Sequence, residues 1–124
     1  MSFAEVHARL ANTAMIYCII LAVWGLFRFF RKQGISSGYF GAILIAEILL
    51  AIQGLLGLFL WFGAATFRPE WVHWLYGIVL LLGIPLVYAY TKGRQDRPEM
   101  LMYSVALVIM IALILRAMAT AAAL

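Results

Sequence analysis

The chain is constrained most by four apolar stretches, residues 10–30, 39–63, 71–90 and 100–119, separated by short polar links. A bilayer core is about 30 Å thick and takes about 20 helical residues to cross. Each stretch is the right length for that and too long for an ordinary strand. The alternation of a transmembrane β-barrel is absent. Composition excludes a soluble alternative: of 124 residues, 67% are hydrophobic and 11% charged. A domain this small leaves too much of its chain at the surface to hide that much apolar area from water. The links are punctuated by Gly34, Ser36, Ser37 and Gly38, then by Pro69, then by Gly93 and Pro98. Links this short make sequential helices antiparallel neighbours. The sequence therefore predicts one all-α domain over 1–124, an integral membrane four-helix up-down-up-down bundle. Its helices are expected at about 3–32, 39–63, 70–91 and 99–120.

The helix ends carry their own signals. Ser2 and Glu5 have capping-box spacing, so the first helix is expected to start ahead of the apolar run, with Glu5, His7 and Arg9 at one membrane face. Pro69 and Glu70 mark the start of the third helix, and Pro85 within it predicts a kink. Arg28, Arg31 and Lys32 follow the first helix, and Lys92, Arg94 and Arg97 follow the third, all towards one side. Only Arg9, Arg68 and Arg116 lie towards the other. The positive-inside rule makes the richer side cytoplasmic and leaves both termini outside. Trp61, Phe62, Phe67, Trp71 and Trp74 would mark the outer interface. The N-terminus lacks the pattern of a cleaved signal peptide, and a multi-pass protein of a bacterial plasma membrane is expected. Basic residues clustered between apolar runs set orientation and give no reason to expect nucleic acid as a partner.

Two histidines are the residues most able to carry chemistry. His7 lies about 31 Å of helix above Arg28, and His73 about 29 Å above Lys92, so both imidazoles fall at nearly the same depth. In an up-down-up-down bundle the first and third helices run parallel and face each other diagonally. Two histidines so placed suit the axial ligation of a haem iron. The macrocycle needs small neighbours, and the sequence offers Ala11, Ala14 and Cys18 below His7, Gly77 one turn from His73, and Gly54 and Gly57 on the second helix. Arg9 and Arg116, near the outer end, are expected beside the propionates. The competing reading treats both histidines as interfacial polar residues and the small residues as helix-packing positions.

Glu47 lies deep in the second helix, where a carboxylate is costly and marks a proton or quinone site, unless it simply hydrogen-bonds Tyr17 or Ser104. Gln53, higher on that helix, is placed to hydrogen-bond an imidazole and set its tautomer, or to clamp two helices. Other site classes find no support. There is no Gly-rich phosphate loop, no HExxH and no CxxC, and Cys18 is the one cysteine. The charges between Lys92 and Glu99 read as a solvated loop.

Helix one carries Val6-His7-Ala8-Arg9-Leu10-Ala11 and ends at Trp24-Gly25-Leu26; helix two carries Gln53-Gly54-Leu55-Leu56-Gly57; helix three opens Val72-His73-Trp74-Leu75-Tyr76. Together these resemble one four-helix half of the haem A synthase family. The resemblance implies His7 and His73 as axial ligands, with Gln53 and Gly57 as the family's glutamine–glycine packing motif. That family carries two such halves and this chain one, and Trp74 follows His73 where the family typically has arginine. What carries over is haem b binding or membership of a respiratory assembly. The sequence-level expectation is thus a small haem-b-binding membrane protein, working in electron transfer or haem handling. Its partners would be lipid, a second copy, or subunits of a respiratory or photosynthetic complex. The alternatives are a cofactor-free accessory subunit and a quinone-binding protein centred on Glu47. No residue is assigned a catalytic role.

Overall fold

In the computed structural model the described residues are 2–63 and 71–122, and they form four helices. These are α1 (Phe3–Phe30), α2 (Ser37–Gly63), α3 (Trp71–Thr91) and α4 (Arg97–Ala122). All four are long and apolar enough to cross a membrane. The expectations for Phe67, Arg68, Pro69 and Glu70 lie outside the described residues.

The helices start where the sequence supplies caps. Ser2 holds an extended backbone, and its Oγ accepts from the Glu5 N–H at 3.1 Å. At α4 the Glu99 carboxylate reaches back to accept from the Asp96 N–H at 3.2 Å, which starts that helix at Arg97. Pro98 is no obstacle there, because first-turn N–H groups have no helical acceptor. Pro85 sits inside α3 without ending it.

Two ends are decided by lysines. Lys32 (φ 61°) and Lys92 (φ 53°) occupy the left-handed region. Beyond α1, Gln33 N–H donates to Arg28 O and Lys32 N–H to Phe29 O. Beyond α3, Gly93 N–H donates to Tyr88 O and Lys92 N–H to Ala89 O. This is the Schellman arrangement, which satisfies the last carbonyls and stops the helix. It stops α1 at Phe30, two residues short of the sequence expectation.

Cross-helix contacts set the register. Gln53 meets the His7 carbonyl while Tyr39 OH donates to Leu21 O, so numbers rise on α2 as they fall on α1. The same reversal relates α3 to α4, where His73 meets Ala117 and Gly83 meets Met110. Helix α1 packs most extensively on α4, whereas α2 and α3 pack least. The core is tightest at Gly25, where the space of a side chain is taken by Ser104 Oγ and Tyr39 OH.

The loops at the basic end are docked. Arg28 donates twice to Gly34 O, at 3.0 and 2.8 Å, and Ile35 N–H donates to Gln95 O at 2.8 Å. Arg97 donates to Phe29 O at 2.9 Å with its guanidinium 4.2 Å over the Phe29 ring. Arg94 pairs with the buried Glu99 at 3.5 Å. The segment from Lys92 to Glu99 is solvent-exposed at Lys92, Arg94, Asp96 and Arg97, as expected, while its buried Glu99 and the Gln95 carbonyl tie it to its neighbours.

Candidate functional site

His7 is the fifth residue of α1 and His73 the third of α3, so each lies close to the start of its helix. Their rings face each other with centroids 6.3 Å apart and planes inclined at 66°. The equal depth inferred from helix length is thus matched by azimuth. Both rings line one cavity of about 860 Å³, bounded by all four helices. Its other polar side chains are Asn12 and Gln53 and, among the residues described, the remainder of its wall is apolar or glycine, including Ala11, Leu50, Gly57, Leu80 and Ile114.

The His73 imidazole and the His7 main chain are both held by contacts across the bundle. His73 Nδ1 lies 2.9 Å from Ala117 O and 3.1 Å from Thr120 Oγ1, and the Thr120 hydroxyl donates to the same Ala117 carbonyl at 2.9 Å. A carbonyl only accepts, so in this contact Nδ1 carries the proton and Nε2 carries the lone pair. A metal-binding histidine is commonly anchored this way, through the ring nitrogen that does not bind the metal. On the other side, Gln53 Nε2 donates to the His7 carbonyl at 2.7 Å. The side-chain amide therefore holds the turn of α1 that carries the ring. Gln53 Oε1 is buried with no hydrogen-bond partner among the described residues.

Two glycines of the sequence reading fall on the cavity wall for a steric reason. A Cβ on Gly57 would touch His7 Cε1 at 3.5 Å, so this glycine lets the ring lie against α2. A Cβ on Gly77 would meet nothing within 4 Å, so this position borders open space. Gly54 does the same. Arg9 and Arg116 are exposed and do not line the cavity itself. At 100° per residue, Arg9 lies about 160° round the helix from His7, and Arg116 about 100° from the wall residue Ala117.

Glu47 does not line the cavity either. Its Oε1 is buried without a hydrogen-bond partner among the described residues. The partners considered for it are engaged elsewhere: Tyr17 OH donates to Ala42 O at 2.6 Å, and Ser104 Oγ to Met100 O at 2.8 Å. Thr120 and the Ala117 carbonyl were not picked out by sequence reasoning. The signal was there in the short α3–α4 link, whose antiparallel register brings the end of α4 to the start of α3.

The chemistry of the pair is specific. No group of three or more His, Cys, Asp or Glu side chains is gathered among the described residues, and a bare catalytic or structural metal ordinarily needs at least three such ligands. Two imidazoles suffice when a macrocycle supplies the other four donors. With metal–nitrogen distances of about 2 Å on both sides, the ring centroids of such a pair stand roughly 6 Å apart. The observed separation fits that demand, and the apolar walls fit a porphyrin's faces. No protein-family model, curated protein or solved structure matches this chain.

Proposed function

We propose that this chain is an integral membrane, up-down-up-down bundle that holds one haem b between His7 and His73. It would serve electron transfer or haem handling in a respiratory or photosynthetic membrane. The observation that carries this reading is the pair of imidazoles 6.3 Å apart across one large apolar cavity. When bound, haem supplies a one-electron iron couple. The chain's part is to present Nε2 of His73 through the Ala117 contact, to brace the His7 turn with Gln53, and to keep the wall small at Gly54, Gly57 and Gly77. Cys18 is the only cysteine and the chain has no C-x-x-C-H for covalent attachment, so a haem here would be held non-covalently, as haem b is.

The basic end, with Arg28, Arg31, Lys32, Lys92, Arg94 and Arg97, is assigned to the cytoplasmic side of a bacterial plasma membrane, which leaves both termini and the haem end outside. A reduced-minus-oxidised visible spectrum of the detergent-purified protein tests the reading. A b-type α-band is expected, lost in both His7→Ala and His73→Ala. A protein that stays colourless when haem is supplied overturns it and leaves a cofactor-free accessory subunit.

A further inference from the structure

The cavity is not closed on all sides. Gly57 faces His7 and is buried, whereas Leu55 lies about 160° round α2 from it; yet both line the cavity. On α3, Ile78 lies about 140° round from His73, and it too is a wall residue. The cavity surface thus reaches past the inward faces of α2 and α3 to the flanks these helices turn towards each other. Leu55 and Ile78 are each 56% exposed, and Gly54 and Gly77 border open space. The ring contacts joining α2 to α3 lie near the helix ends: Trp61 on Trp74 at 5.4 Å and Phe40 near Tyr88 at 6.0 Å. Between them, at the level of Gly54 and Gly77, the two helices part. Beside the site α1 is joined to α2 by Gln53 on the His7 carbonyl and α3 to α4 by His73 on the Ala117 carbonyl and Gly83 against Met110, while α1 and α4 meet closely at Gly25 and Ser104 nearer the basic end.

We propose that this gap is a lateral portal, through which the macrocycle reaches the histidines from the lipid phase. It rests on the haem reading. The lips, Leu55, Leu58, Ile78 and Leu81, are apolar and without charge, so water gains nothing by filling the slot and the apolar ring of a lipid-dissolved macrocycle loses nothing by lying in it. A flat ring can pass between two glycines where it would be stopped by side chains. Trp61 and Trp74 cap the slot at its outer end, so passage is sideways from the acyl region.

The test uses the full chain as apoprotein in lipid nanodiscs, with haem predissolved in the lipid. Soret growth is followed in wild type and in Leu55→Trp/Ile78→Trp at the exposed lips, with Ile52→Trp/Val79→Trp on the outer faces as a control. The portal predicts loading at least tenfold slower in the lip variant, the same final spectrum, and a control matching wild type. Equal rates in all three overturn the portal and leave the haem site standing. A second measurement needs no haem: Ala11→Cys, on the wall opposite the gap, in a Cys18→Ala background, is alkylated with a lipid-partitioned maleimide. The thiol should react, and should be protected by the two tryptophans at the lips. Reaction unaffected by them overturns the portal; protection in a protein that takes up no haem overturns the haem reading alone.

Discussion

Replacing Gly57 in a graded series measures how closely His7 depends on the second helix. An alanine Cβ at this position lies 3.5 Å from His7 Cε1, an ordinary van der Waals contact. Gly57→Ala should therefore leave haem affinity unchanged and raise the stability of the apoprotein by about 0.5–1 kcal/mol, the usual gain from removing a helix-interior glycine. Valine is different. Its methyls extend about 1.5 Å beyond Cβ, and the helix restricts its side chain to essentially one rotamer. A methyl directed at the ring would come within about 2 Å of it, so the imidazole must swing away from its partner. Overpacking of this kind costs about 1–3 kcal/mol. Here that cost falls on the ligating geometry, because the His7 turn is pinned by Gln53 and cannot shift as a whole. Converted, it is about a 5- to 150-fold loss of haem affinity. The assay is a haem titration of the apoprotein followed at the Soret band, with circular-dichroism melting as a check that the variant folds. A folded Gly57→Val that binds as tightly as wild type, with an unchanged spectrum, would refute the contact and the ring placement that follows from it.

Three further outcomes are expected. Thr120→Val removes one of the two oxygens beside His73 Nδ1 and should raise the haem dissociation rate roughly tenfold, with Thr120→Ser restoring it, as stopped-flow transfer to apomyoglobin would record. Gly34→Ala would drive a Cβ into the Gln95 carbonyl and the Asp96 backbone, so the two basic-end loops must part; a loss of about 1–3 kcal/mol in detergent unfolding is expected. Lys32→Gly relieves a left-handed non-glycine residue and should raise the melting temperature, against a strain of about 1–2 kcal/mol, and an unchanged or lower value would contradict the Schellman end of α1.

Much of the architecture is legible in the sequence because length and apolarity alone decide it. Four runs of spanning length, with Ser2 and Glu5 at the start of the first, determine four helices and their approximate bounds. Matched depth along the helix was also readable, since rise per residue is fixed, and it brought out His7 and His73. Azimuth was not. Apolar residues run all the way round each helix, so the 3.6-residue period that would separate a buried face from an outer one carries no signal. Lipid is as apolar as the bundle interior, and the sequence need not mark the difference. Only tertiary structure turned Arg9 and Arg116 outward, took Glu47 off the cavity wall, and set Thr120 beside His73. It alone parted α2 from α3 at Gly54 and Gly77, because how far two helices stand apart depends on what all four pack against, and no single stretch of chain encodes that.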